Sequence, residues 1–181
     1  PDYAIAKQGK EDYYWGMGLT AEQVAEKYKV NRNDQDEFAL NSHLKAVDAI
    51  SKGKFKSQIV PIKVEETFLN QDGKKTSREY IVDTDEGPRK DTNLKVLNKL
   101  RPVFTMNGSV TAGNSSQMSD GAAFVLIMSE KMVKELNIEP IARLVNYAVA
   151  GVPPKIMGIG PVKAIPKVLK QAEMKIEDID L

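Results

Sequence analysis

Residues 111–123, TAGNSSQMSDGAA, crowd hydroxyl, amide and glycine residues together and run straight into the apolar FVLIMSE. Hydroxyls and amides donate and accept hydrogen bonds without carrying charge, so such a rim suits a neutral ligand arm that itself contains amides. Ser115, Ser116 and the neighbouring backbone amides are the donors in question. The same composition equally suits a turn that lets two layers meet, with Gly113 and Gly121 supplying backbone freedom. Spacing alone leaves both open. The stretch matches neither a Walker loop nor GxGxxG, so it offers no phosphate cradle at a helix start.

The remaining chemistry-bearing residues are few. In PPKIMGIGP, Gly158 and Gly160 permit close approach of a ligand or backbone, and Met157 offers an adaptable apolar surface; a proline-stiffened connection is the alternative. Arg89, Lys90, Lys95, Lys99 and Arg101 form a basic cluster that suits phosphates or simply a solvated helix face. His43, the single histidine, lies in mid-helix without nearby ligand-type partners, which points to a structural or surface role. Glu65-Glu66 and Asp85-Glu86 read as solvated charge, because acid/base carboxylates must converge from two elements. With no cysteine in the chain, disulfides, thiolate metal sites and thiol nucleophiles are all excluded, and no metal site is expected.

The elements that position these residues follow from periodicity. A helix is predicted over 19–30, with Thr20 and Gln23 at capping-box spacing. A second is predicted over 33–51, carrying Leu40, Leu44, Val47 and Ile50 on one stripe and ended by Gly53. Two strand-like runs flank Asp72-Gly73, and Pro61 restricts the first to an edge or a strand start. A short helix is predicted over 91–100, then a strand over 122–128, a helix capped by Ser129, a strand over 141–149 and a last helix opened by Pro166. The pattern after residue 120 is that of an α/β layer, and the preceding part looks like a separate α+β excursion.

Composition bounds the partners. Hydrophobic residues at 41% and charged residues at 28% are ordinary globular values. A formal net charge of +1 supplies no field for nucleic acid or an anionic membrane. The longest apolar run, 122–128, is far short of a bilayer span, and PDYAIAKQGKEDYY carries no apolar signal-peptide stretch. The lack of cysteine fits a cytoplasmic location. Opening on Pro1 and closing on IEDIDL, the chain is expected to be a piece of something longer.

Four segments together resemble the thiolase family. NGSVTAGNSSQMSDGAA is similar to the loop that closes the family's lid insertion, and MGLTAEQVAEKY with QDEFALNSH to its lid helices. KLRPVF and PKIMGIGPVKAIPKVL complete a match in order and spacing over nearly the whole chain. The resemblance implies an α/β fold class: an α+β lid (loop) domain over 1–118, then part of the layered thiolase core. Residues 119–139 would end the amino-terminal half and 140–181 would start the carboxy-terminal half. It implies acyl transfer to and from coenzyme A, the substrate that serves as cofactor, by an enzyme of the thiolase (acyl-CoA acyltransferase) type.

Carried over by motif, Arg89 would face the nucleotide end of coenzyme A and Ser116 would hydrogen-bond the pantetheine arm. Ala112, Ser115 and Met118 would line that arm, while Phe104 and Met157 would wall the tunnel. Gln117 resembles degradative 3-ketoacyl-CoA thiolases, and Gly16 stands where biosynthetic members usually place a histidine. Thiolase chemistry needs a cysteine nucleophile, an activating histidine and a second cysteine. This chain has no cysteine and His43 matches no such position. The parent is therefore expected to be an enzyme and homo-oligomer, and this chain alone to be inactive and to self-associate. A non-catalytic assembly module, a biosynthetic acetoacetyl-CoA thiolase and an unrelated α/β binding domain are the rivals.

Overall fold

A computed structural model of the chain describes residue 4 and residues 6–181. It divides into two compact units: residues Pro1–Val30, Val103–Val110 and Met118–Leu181, and residues Asn31–Pro102 with Thr111–Gln117.

In the first unit, helix α1 spans Met17–Tyr28. It starts three residues before the predicted capping Thr20, because Gly16 is extended and serves as the cap. Thr20 is instead buried inside the helix, where its Oγ1 donates to the Met17 carbonyl at 2.9 Å. Glu22 and Ala25 are buried on the same helix, which ends where Lys29 turns left-handed with φ 56°. The PKIMGI segment, Pro154–Ile159, forms a short 3₁₀ turn against α1, burying Ile156, and a Cβ added at Gly158 would stand in ordinary contact with Val24.

Helix α2 in the second unit spans Arg32–Ser51. Asn31 caps it, its Oδ1 accepting from the Asp34 amide at 3.0 Å, and Gly53 follows its end with φ 66°, as the sequence predicts. Strands β1, Ile62–Leu69, and β2, Lys75–Val82, pair antiparallel from Ile62↔Val82 to Leu69↔Lys75. Asn70 Oδ1 accepts from the Asp72 and Lys74 amides in the connecting loop, where Gly73 takes φ 74°. The predicted helix over 91–100 contracts to α3, Leu94–Leu97, capped by Asn93.

Arg32 closes that contraction. Its guanidinium donates to the carbonyls of Leu97 at 2.7 Å and Leu100 at 3.1 Å, adding to the bond that the Leu97 carbonyl already accepts from the Leu100 amide at 3.0 Å. Leu97 is buried beneath it.

Three predictions fail in the remainder of the first unit. Residues 122–128 and 141–149 form no strand; among the described residues the only sheet is β1–β2. Strand composition is not enough, because a strand exists only when a neighbour's backbone pairs with it. Both runs are left solvent-exposed, Phe124 at 99% and Ile141 at 105%. Helix α4, Glu130–Glu135, does begin at Ser129, whose side chain accepts from the Met132 amide. The last helix, α5, spans Gly160–Gln171, so Pro161 opens it and Pro166 lies inside. Pro161 already occupies the first turn, where a missing N–H costs nothing, and the exposed Pro166 is tolerated for one lost bond.

Candidate functional site

The serine-rich rim is built around a completely buried Thr111 in the second unit. Its amide donates to Asn114 Oδ1 at 2.7 Å, its carbonyl accepts from Ser115 Oγ at 2.7 Å, and its Oγ1 accepts from the Gly113 amide. A tight, internally bonded turn results. Asn114 Nδ2 then donates at 3.0 Å to Asp36 Oδ1, and Asp36 Oδ2 accepts from Arg32 Nε at 2.7 Å. Asp36 is completely buried with both oxygens partnered, so the turn is tied to α2 by a satisfied polar network.

Gly113 serves here through size. Its φ is not positive, and a Cβ would run into Leu97 and Leu100. Backbone freedom is not what Gly113 or Gly121 supplies; Gly121 has open space around it and no positive φ. The outward side of the turn is open: Ala112 and Ser116 are exposed and Ser115 is half-buried. Ser115 already donates inward, whereas Ser116 Oγ has only a long contact, 3.4 Å, to the Gln117 carbonyl.

Arg89 belongs to the same unit. Its backbone amide donates to His43 Nδ1 at 3.1 Å, giving the lone histidine a structural partner. Its guanidinium is exposed and lies 3.4 Å from Asp91 Oδ2. The hydrogen bond from Arg89, aided by a backbone hydrogen bond and by the guanidinium charge, holds the Asp91 carboxyl below its usual range. The Gln117 side-chain amide lies where a Cβ on Gly87 would stand, so the segment entering Arg89 runs beside the rim.

Phe104, Met118 and Met157 belong to the other unit. The Phe104 ring covers Gly18, where a Cβ would overlap it, and one side of the ring stays exposed. Met118 is fully exposed and Met157 is 44% exposed. Arg89, Ala112, Ser115 and Ser116 thus share one unit, and Phe104, Met118 and Met157 share the second.

The acidic pairs behave as solvated charge. Glu66 meets Arg78 across the hairpin at 2.7 Å, Glu65 lies opposite Glu79, and Asp85 and Glu86 are exposed. Among the described residues no His, Cys, Asp and Glu side chains group as metal ligands. What this unit offers a ligand is neutral hydrogen bonding at the rim and an exposed cation at Arg89. Sequence inspection missed Asp36, Asn114 and Glu22, whose partners lie 78, 78 and 88 positions away. The one local signal was Arg32 placed four residues before Asp36 on a helix.

Residues 5–131 match the family model "Thiolase, N-terminal domain", and residues 138–181 match "Thiolase, C-terminal domain". The chain belongs to the thiolase family. It is 48% identical, over all of its residues, to the 3-ketoacyl-CoA thiolase of Bacillus subtilis (strain 168) and covers 46% of that protein. Its structure resembles the dimeric peroxisomal thiolase of Saccharomyces cerevisiae, with a TM-score of 0.83 and 39% identity over 100% of this chain and 43% of that one. Human mitochondrial 3-ketoacyl-CoA thiolase, solved in complex with CoA, matches 91% of this chain and 38% of its own length at 41% identity and a TM-score of 0.78. The chain therefore spans less than half the length of the relatives it matches, and its fold class is that of an α/β thiolase segment. No helix among the described residues is long and apolar enough to cross a membrane.

Proposed function

We propose that this chain supplies coenzyme A-binding lid residues to a thiolase that cleaves 3-ketoacyl-CoA thiolytically, as in fatty-acid β-oxidation. The observation that carries this is the open rim. Ala112 and Ser116 face outward from an internally bonded turn, and the exposed Arg89 guanidinium stands in the same unit. A neutral hydroxyl edge suits the amides of a pantetheine arm, and a cation suits the phosphates at its nucleotide end. Ala112, Ser115 and Met118 line the arm, and Phe104 and Met157 wall the tunnel. The CoA-bound human relative lends this support by likeness of fold.

In this proposal residues 1–118 form the lid, 119–139 end the amino-terminal half and 140–181 start the carboxy-terminal half. The chain contributes binding and orientation, not covalent chemistry. It contains no cysteine, so it has no thiol of its own to accept an acyl group. Gln117 and Gly16 favour the degradative over the biosynthetic, acetoacetyl-CoA direction. The lack of cysteine favours a cytoplasmic location, although the yeast relative is peroxisomal. The whole protein would be a homo-oligomer, as the dimeric yeast relative suggests.

Calorimetric titration with coenzyme A tests the binding role. Saturable binding that Arg89→Ala and Ser116→Ala each weaken is expected; absent binding, or binding indifferent to both changes, overturns it. A second expectation is that the pure chain does not cleave acetoacetyl-CoA or longer 3-ketoacyl-CoA. One observation favours a rival assembly role: the two exposed apolar runs around Phe124 and Ile141. Coenzyme A binding separates the two roles, because assembly alone does not require it.

A further inference from the structure

The rim and Arg89 are held by the same helix. Arg32, Asp36 and His43 follow one another on α2 at separations of four and seven residues, which places them along one stripe. From that stripe Asp36 accepts from Asn114 at 3.0 Å, and Asn114 in turn holds the amide of Thr111 at the start of the rim. One stretch further along, His43 Nδ1 accepts the backbone amide of Arg89. At about 1.5 Å of rise per residue, the two anchors stand about 10 Å apart along the axis.

We infer that this stripe of α2 spaces the two coenzyme A contacts: Asp36, through Asn114, positions the pantetheine rim, and His43 positions Arg89 for the nucleotide end. This rests on the coenzyme A role proposed above. Both are positioning residues, since neither touches the ligand. Asp36 is suited to the task because it is completely buried, with each carboxylate oxygen already bonded, so it has one arrangement available. His43 can hold Arg89 only through an unprotonated Nδ1, which makes the position sensitive to the acceptor rather than to bulk. An asparagine at position 43 would bring its Oδ1 near the place of Nδ1, whereas leucine of comparable size has no acceptor.

The test uses two probes, coenzyme A and pantetheine, which lacks the nucleotide, together with amide hydrogen exchange by NMR. His43→Leu is expected to weaken coenzyme A binding by about five- to tenfold, the effect of one lost hydrogen bond, while leaving pantetheine unchanged. His43→Asn is expected to restore coenzyme A binding. Asn114→Ala is expected to weaken both probes by a similar factor. In exchange, His43→Leu should accelerate the Arg89 amide and spare that of Thr111, and Asn114→Ala should do the reverse. Equal loss of both probes in His43→Leu, or no loss in either variant, overturns the assignment. Should the unaltered chain bind neither probe, the coenzyme A role falls, and unchanged exchange in both variants would separately remove the anchors. His43 is half-buried, so its substitution is expected to leave the chain folded even if Asn114→Ala does not.

Discussion

The carboxylate of Glu22 accepts hydrogen bonds from the Ser109 amide, the Ser109 hydroxyl and the Val110 amide, the last at 2.9 Å and 88 positions away in sequence. A helix side chain thereby ties down the segment that leads into the serine-rich rim. Glu22 and Val110 are both buried, so the Val110 amide has no water as a ready substitute.

Glu22→Ala should therefore lower stability by about 2–3 kcal/mol, the cost of stranding buried donors that had a charged acceptor. Glu22→Gln, which keeps one acceptor oxygen, should cost less. Urea unfolding of the two variants checks the order; equal, negligible losses would remove Glu22 as the anchor.

Gly18 is required by the ring above it. Gly18→Ala should displace Phe104 and cost about 1–3 kcal/mol, as overpacking of a filled contact does. Adding Phe104→Ala should recover part of the loss, since the clash disappears with the ring. A thermal-melting double-mutant cycle reads the coupling, and strictly additive effects would contradict the contact.

Arg89→Ala should raise the Asp91 pKa toward its ordinary value, because the hydrogen bond and charge that lower it are gone. The sign for stability follows. A lowered carboxyl favours the folded state above its unfolded pKa, and that contribution fades as pH falls through the folded value. Both side chains are exposed, so high salt should abolish most of the difference. Carbon-detected NMR titration at low and high salt measures it.

The exposed runs 122–128 and 141–149 should drive self-association, given Phe124 at 99% and Leu126 at 83% exposure. Light scattering is expected to show mass rising with concentration. Phe124→Lys with Leu126→Lys should lower that rise, and a constant monomer mass in the unaltered chain would refute the expectation.

Elements whose determinants are local were legible from the chain alone. Gly53 ends α2, Asp72-Gly73 turns the hairpin, and Ser129 caps α4, each within a few residues of what it controls, whereas the Asn31 cap of α2 was seen only in the structure. The Thr20 cap failed because Gly16 offered an earlier start, and Pro166 failed because Pro161 already served at the helix opening. The strands expected over 122–128 and 141–149 depended on a pairing partner that composition cannot specify.

The sequence by itself determined the residue chemistry: a neutral donor-rich rim, a basic cluster from Arg89 to Arg101 in which only the family resemblance singles out Arg89, and no thiol. It also carried the motifs by which the family is recognised. Only the tertiary structure decided which side of the rim turns outward and what holds it. Asp36 meets Asn114, and His43 meets Arg89, across separations of 78 and 46 residues. Such bonds form because folding removes these groups from water and leaves each other as the partners within reach, a condition that no short window of sequence contains.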